Sequence, residues 1–384
     1  MNFDNTEIAF APKSTKDLNK AHFLFFSMAK PWLTSLGIQC TYLAFKLHLP
    51  IKNIIKKTIF NQFCGGETLD EASISAQKIF QYGVGVILDY GVEGKKTEAE
   101  FDATTAEFIR TIQFAKNKKH IPFISIKVTG FARFELLEQL DAKHDLSESE
   151  LDEWNRVRRR LDDICKNAID CGMKILIDAE ESWIQGPVDE LALEMMRKYN
   201  QKNSSIFNTY QMYRHDRLAF LKKELQIAAN ENFVLGSKLV RGAYMEKERA
   251  RAIEKKYPSP IQATKEATDK DYDEAVLYCL EHIDCNHLFI GTHNELSCYK
   301  AIEYMEKNKL PKALVYFSQL YGMSDNISFN LAKEGYQVSK YLPYGPVHDV
   351  IPYLMRRAQE NTSVAGQTGR ELTLINKEIL RRKK

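Results

Sequence analysis

No run of roughly 18 or more uncharged apolar residues occurs anywhere in the 384-residue chain, so no helix is predicted to span a membrane. The seven cysteines, at 40, 64, 165, 171, 279, 285 and 298, are scattered and include no CxxC pair. A zinc ribbon and a thioredoxin-like motif are thereby excluded, and reduced thiols in a cytoplasmic setting are the plain expectation. Charge of one sign is not in excess either: 54 Lys and Arg face 51 Asp and Glu, a formal net charge of +3. A balanced chain has no global electrostatic case for nucleic acid. The opening residues, MNFDNTEIAFAPKSTKDLNK, carry acids where a secretory signal is basic and then apolar. These features predict a soluble protein.

Several reaction classes lack their motifs. There is no HExxH and no acidic cluster with metal-ligand spacing, so no metal is expected. GxSxG is absent, which removes the α/β-hydrolase nucleophile elbow. The segment GVGVIL, from Gly83 to Leu88, has two glycines of a dinucleotide loop but not the third. A nucleotide cofactor, if bound, is not held in the Rossmann manner.

What the chain does have is rhythm. Apolar runs recur at 84–90, 123–128, 174–177, 205–209, 234–240, 287–291, 314–317 and 336–340. Most are rich in Val, Ile and Phe, as strands of a parallel sheet buried on both faces should be. Helical patterns such as VDELALEMMRKYN and YDEAVLYCLEHI separate them. Eight strands with intervening helices predict an α/β fold, a (β/α)8 TIM-type barrel, in preference to a doubly wound open sheet.

Residues 1–80 read as an N-terminal helical region ahead of a barrel at 81–384. Phe25, Met28, Ala29 and Trp32 have the i, i+3, i+4, i+7 spacing of one apolar helix face, with Pro31 as a kink or restart. That face either packs on a core or, given Lys30, Lys52, Lys56 and Lys57 nearby, meets a membrane surface or a partner. A second helix is expected from about Glu67 to Gln81. Residues 134–162 read as an acidic-then-basic helical insertion, its arginines 156 and 158–160 paired along a solvated helix face. The tail Arg381-Arg382-Lys383-Lys384 reads as a frayed end.

In such a barrel, reactive groups come from the C-terminal strand ends and the loops after them. The unusual polar residues fall there: Asp89-Tyr90, Lys127, Asp178-Ala179-Glu180-Glu181, Tyr210-Gln211, KLVRGAY at 238–244, Gly291-Thr292-His293-Asn294, Gln319 and Tyr341. Any one of them has an ordinary structural explanation as a cap or an ion-pair partner. Converging on one mouth, they imply a pocket, because buried charges without a purpose cost free energy. Lys127, Lys238, Arg241, Arg356 and Arg357 suit a carboxylate or phosphate, which Arg binds bidentately. Glu360 lies on the same helix face as Arg356 and Arg357.

DYGVEG (89–94), KVTGFA (127–132), DAEESW (178–183), FNTYQMY (207–213), KLVRGAYMEKER (238–249), THNE (292–295), YFSQLYGMSDNISF (316–329) and YLPYGPVHDVIPYLMRRAQENTS (341–363) occur in that order. Together they resemble proline dehydrogenase, the FAD-dependent first enzyme of proline catabolism, in its monofunctional mitochondrial-type branch. The likeness runs from about residue 58 to the C-terminus. It implies a (β/α)8 barrel and oxidation of L-proline to Δ1-pyrroline-5-carboxylate, with hydride passing from proline C5 to flavin N5. It also implies a membrane quinone as electron acceptor, which would bring peripheral contact with a membrane.

Carried over by position, the resemblance makes Arg356 and Arg357 the carboxylate-holding pair, assisted by Lys127. Tyr244 and Tyr341 would pack on the pyrrolidine ring, with Leu320 beside them. Asp178 and Lys238 would be the catalytic pair of strands three and five. Ala179, Gln211, Lys238, Arg241, Gly242, Ala243, Thr292 and His293 would line FAD, and Glu360 would act as a gate. Many relatives read RLVKGAY, whereas Lys238 and Arg241 here exchange those types, so the residue facing the flavin donates from a point and not a fork. A hydroxyproline-oxidising relative and a non-catalytic proline sensor are the other readings considered.

Overall fold

The structure is a computed structural model that describes residues 1–47, 49–91, 95–363 and 367–384, excluding the side chains of 42, 45, 359–363 and 367. Eight parallel strands close in sequence order into a barrel. They are β1 (Val84–Tyr90), β2 (Phe123–Ile126), β3 (Lys174–Ile177), β4 (Ile206–Gln211), β5 (Leu235–Val240), β6 (Asn286–Gly291), β7 (Val315–Leu320) and β8 (Gln337–Tyr344). The predicted barrel is therefore observed. The main displacement is at the eighth strand, which continues past Tyr341 through Pro343 to Tyr344. Pro343 has no N–H to give the ladder, and its carbonyl accepts from Gly65 N at 2.8 Å. At the second strand the ladder stops at Ile126, one residue before Lys127.

The chain forms two compact units, Met1–Val92 with Gln319–Lys384, and Glu93–Ser318. In the first, the N-terminal helices Thr15–Met28 and Pro31–Lys46 accompany β1, β8 and the C-terminal helices Val347–Ser363 and Gln367–Lys383. Phe10, Leu18, Phe25, Phe63, Leu354 and Ile375 share one apolar core there. Ser14 caps the helix Thr15–Met28 and forms a capping box with Asp17. Pro31 restarts the chain as the first residue of a new helix, where its missing N–H costs nothing. The expected single face is thus divided: Phe25 and Met28 are buried, but Ala29 and Trp32 are exposed. After short helical segments at Lys52–Ile55, Lys56–Phe60 and Asn61–Phe63, the expected second helix is Leu69–Phe80, shorter at its start because Thr68 caps it.

The C-terminal tail is also corrected. The helix Gln367–Lys383 runs almost to the end, and the forks of Arg381 and Arg382 both pair with the fully buried carboxylate of Glu378. Arg382 further donates to the carbonyls of Phe10 and Lys13 at 2.9 and 2.8 Å. Ion pairing and backbone acceptors hold an end that composition alone would leave loose.

In the second unit, the segment expected as one helical insertion is two helices, Phe134–Asp141 and Glu148–Asp170. The longer one is the crossover into β3. Its arginines pair across to other helices: Arg156 and Arg160 reach Glu98, and Arg158 reaches Glu194. Arg158 and Arg159 are exposed, as a solvated face requires, but Arg160 is buried between Glu98 and Asp102 as part of an interhelix contact.

Candidate active site

In the second unit, the interior of the barrel begins with an aromatic floor. Phe123 on β2, Phe207 on β4, Phe289 on β6 and Tyr316 on β7 pack together: Phe289 and Tyr316 stack, and Phe123 meets both edge to face, its centroid 5.1 Å from Phe289 and 5.0 Å from Tyr316. Strands β2 and β6 are not neighbours, so these rings can touch only across the interior. The period of two then assigns Ser125 and Lys127, Leu176 and Asp178, and Thr209 and Gln211 to the same inner face. Thr209 lies in register with Lys238 of β5.

Over this floor sits a small ionic cluster. Lys238 Nζ donates to Asp178 Oδ1 at 2.5 Å, and Lys127 Nζ stands 3.9 Å from Asp178 Oδ2. All three side chains are almost buried. Two ammonium groups gather at one carboxylate in a nearly dry environment, where charge interactions are strong. Such a place favours a ligand that carries or develops negative charge.

The loops bearing these groups are tied to one another. Thr129 donates to the carboxylate of Glu180 at 2.8 Å, and Gln211 Nε2 donates to the Glu180 carbonyl at 2.7 Å. Ser182 donates from both its backbone N and its Oγ to the buried Glu248, each at 2.6 Å. Ala179 is half-buried between Asp178 and Glu180. Glu180 and Glu248 had no assigned role in the sequence. Glu248 carries no local signal, since its partner lies 66 residues away.

After β5 the chain turns through Arg241, Gly242, Ala243 and Tyr244. Gly242 has φ +138°, and a Cβ there would come within 2.5 Å of the Tyr213 ring. Only glycine fits. Gly242 and Ala243 are exposed, and Tyr244 is half-buried. Arg241 donates to Asp269 at 2.6 Å, Thr292 at 2.8 Å and Ser297 at 3.0 Å, and its guanidinium carbon lies 4.2 Å from the Tyr272 ring centroid. These three bonds use part of a five-donor fork and hold it in one orientation. His293 follows Thr292 after β6 and is half-buried.

In the first unit, Tyr341 lies on β8 in register with Ile87 of β1, and Asp89 with Pro343. Lys340 points to Asp325 on the helix Asp325–Lys333, at 2.9 Å, so alternation turns Tyr341 to the opposite face. Tyr321 N donates to the Tyr341 carbonyl at 2.9 Å, next to Leu320 at the end of β7. On the helix Val347–Ser363, the buried Val350, Leu354 and Ala358 form an i, i+4, i+8 stripe into the apolar core. That anchor fixes Arg356, half-buried, and Arg357, buried with its guanidinium 5.2 Å from the Tyr353 centroid. Glu360 belongs to this helix, but its side chain lies outside the described residues.

A sequence profile of proline dehydrogenases matches residues 72–370. The chain belongs to the proline dehydrogenase family. It is an oxidoreductase of that family, and its resemblance to the mitochondrial-type branch is supported by proline dehydrogenase 1 of Dictyostelium discoideum, 32% identical over 88% of this chain and 67% of the relative. Human mitochondrial proline dehydrogenase 1 is 43% identical over 62% of this chain and 40% of its own length. The carbapenem biosynthesis protein CarD of Pectobacterium carotovorum is 35% identical over 83% of each chain. Hydroxyproline dehydrogenase of Xenopus laevis is 32% identical over 85% of this chain and 78% of its own. Proline utilization A of Bdellovibrio bacteriovorus, solved after inactivation by N-propargylglycine, superposes with a TM-score of 0.74 at 22% identity. That alignment covers 84% of this chain and 36% of the larger one, and speaks for the fold.

Proposed function

We propose that this proline dehydrogenase family member oxidises L-proline to Δ1-pyrroline-5-carboxylate with FAD as cofactor, and passes the electrons to a membrane quinone. The observation that carries the reading is the Lys127–Asp178–Lys238 cluster over an aromatic floor, in a chain that matches the family over residues 72–370.

The donor set fits a flavin nucleotide. Arg241 offers an oriented fork beside the exposed backbone of Gly242 and Ala243, which suits a phosphate. Ala179, Gln211, Lys238, Thr292 and His293 would hold the remainder. FAD, when bound, would supply the two-electron acceptor that no amino-acid side chain provides.

The chain's own residues have the remaining tasks. Arg356 and Arg357, with Lys127, would hold the proline carboxylate and so fix the ring by charge-assisted hydrogen bonds. Tyr244, Tyr341 and Leu320 would flank the pyrrolidine ring and exclude water. Asp178 would keep Lys238 at its station, with Glu360 as a gate.

The Xenopus relative makes hydroxyproline the second substrate to weigh. The bulk of Tyr341 beside the ring argues for proline, since it leaves less room for a 4-hydroxyl. The test is an anaerobic titration of the FAD-loaded protein with L-proline and with trans-4-hydroxyproline, while ligand binding is followed separately by dialysis. A flavin band that bleaches with proline is expected. Preferential bleaching by hydroxyproline would exchange the substrate, and proline binding without bleaching would make the protein a sensor.

A further inference from the structure

Between Asp17 and Glu67 the chain contains no acidic residue at all, whereas it carries Lys20, Lys30, Lys46, Lys52, Lys56 and Lys57. The rest of the chain is balanced and slightly acidic, with 48 Lys and Arg against 51 Asp and Glu. Lys52 and Lys56 pair with Glu67, while Lys20, Lys30, Lys46 and Lys57 are exposed.

Apolar exposure concentrates in the same place. Of the seventeen large apolar side chains exposed among the described residues, eight lie between 23 and 54. Scattered single exposures are ordinary, but such a concentration is not. On the helix Pro31–Lys46 and just beyond it, Trp32, Leu36, Leu43 and Leu47 follow the i, i+4, i+11, i+15 spacing of one stripe, with Trp32 67% exposed. On the helix Thr15–Met28, Leu18, Ala21, Phe25 and Met28 face the core, while Phe23, 72% exposed, and Phe26 face away. The helix is apolar on two sides and covered on one. Lys30 Nζ lies 4.6 Å from the Phe26 ring centroid, a cation at the rim of an aromatic face.

We propose that this face, carried by Phe23, Phe26, Trp32, Leu36, Leu43 and Leu47, docks on the surface of an anionic phospholipid bilayer. Aromatic and leucine side chains enter the boundary between headgroups and acyl chains, and the lysines meet the headgroup charge. No helix among the described residues is long and apolar enough to cross a membrane, so the helices lie in the interface. A second copy of the chain fits worse. A self-complementary contact would bring two acid-free, lysine-bearing faces together, and like charge opposes it. The inference deepens the membrane-quinone reading above and rests on it only for its purpose, since binding can be measured without turnover.

The test uses the full FAD-loaded protein and vesicles of phosphatidylcholine alone or with phosphatidylglycerol as a minor component. Co-sedimentation with the anionic vesicles, weakened by salt, is expected. The variant F23S/W32S/L36S and the variant K30E/K46E/K57E should each lose about tenfold in vesicle partitioning. These side chains are exposed, so both variants should keep the wild-type melting temperature and proline oxidation with a soluble dye acceptor. A wild-type protein that ignores anionic vesicles overturns the proposal. So do variants that bind as well as wild type, or a wild-type dimer that the variants make monomeric. Vesicle binding by a protein without proline activity would instead sink the catalytic reading and leave the docking surface standing.

Discussion

Lys238 of β5 donates to Asp178, just beyond β3, at 2.5 Å, and Lys127 approaches the same carboxylate from beyond β2 at 3.9 Å. One carboxylate therefore serves two ammonium groups that the chain supplies from different strands. The side chains are almost buried, so removing the carboxylate disturbs both ammonium groups at once.

Replacing Asp178 by Ala should destabilise the fold by about 3–5 kcal/mol, because it removes a nearly buried carboxylate that accepts from one lysine and faces a second. Asp178→Asn should cost less stability but still lower kcat/KM for proline. Chemical denaturation and steady-state kinetics on both variants check this. An Asp178→Ala protein as stable as wild type would show that solvent already screens the pair.

Arg356→Met and Arg357→Met should each raise the KM for proline by about 10- to 100-fold, the worth of one or two hydrogen bonds to a charged group. The band bleached at saturating proline should remain. Unchanged KM in both variants would remove the carboxylate role from this helix.

Gly242→Ala should lower the melting temperature and weaken flavin retention. Its φ of +138° and a Cβ 2.5 Å from the Tyr213 ring make strain of about 1–3 kcal/mol unavoidable. Gly369→Ala is the control, since nothing lies within 4 Å of its Cβ position in the helix Gln367–Lys383. It should be neutral or mildly stabilising, by about 1 kcal/mol at most. Equal losses in both variants would contradict the steric account.

Acid should unfold the first unit partly through Asp325. Burial works against its charge, but Lys13 at 2.8 Å and Lys340 at 2.9 Å prevail and hold its pKa down to about 2. Glu371, buried nearby, is pushed the other way by burial and by Asp325 itself. A carboxylate whose folded pKa lies below its unfolded value stabilises the protein above the unfolded value, near 3.8, and loses that contribution as pH falls toward 2. The shift corresponds to about 2 kcal/mol. In Asp325→Asn, the fall in stability between pH 4 and pH 2 should be shallower in denaturation curves, and an unchanged slope would exclude the assignment.

Much of the architecture is legible in the amino-acid order. Val-, Ile- and Phe-rich runs separated by helical patterns specify parallel strands because both faces are buried, and β1 and β3 begin and end where the pattern does. Strand ends carrying Lys127, Asp178, Lys238 and Arg241 are readable for the same reason: a polar residue closing an apolar run is conspicuous. Less local features were hidden. Trp32 shares its spacing with Phe25 and Met28, yet it is exposed because Pro31 starts a separate helix. The basic tail looks frayed until Glu378, one turn back, and the carbonyls of Phe10 and Lys13, hundreds of residues away in the chain, accept its hydrogen bonds.

The sequence by itself determined the number and kind of elements, the family and the residue types available for chemistry, because periodicity and composition act over a few residues. Tertiary structure decided the partners. That Lys238 meets Asp178, that Glu248 holds Ser182 and that Arg160 is buried between Glu98 and Asp102 depend on which strands and helices become neighbours. Ion pairs and hydrogen bonds act over a few ångströms, and only closure of the barrel brings such distant positions within that range.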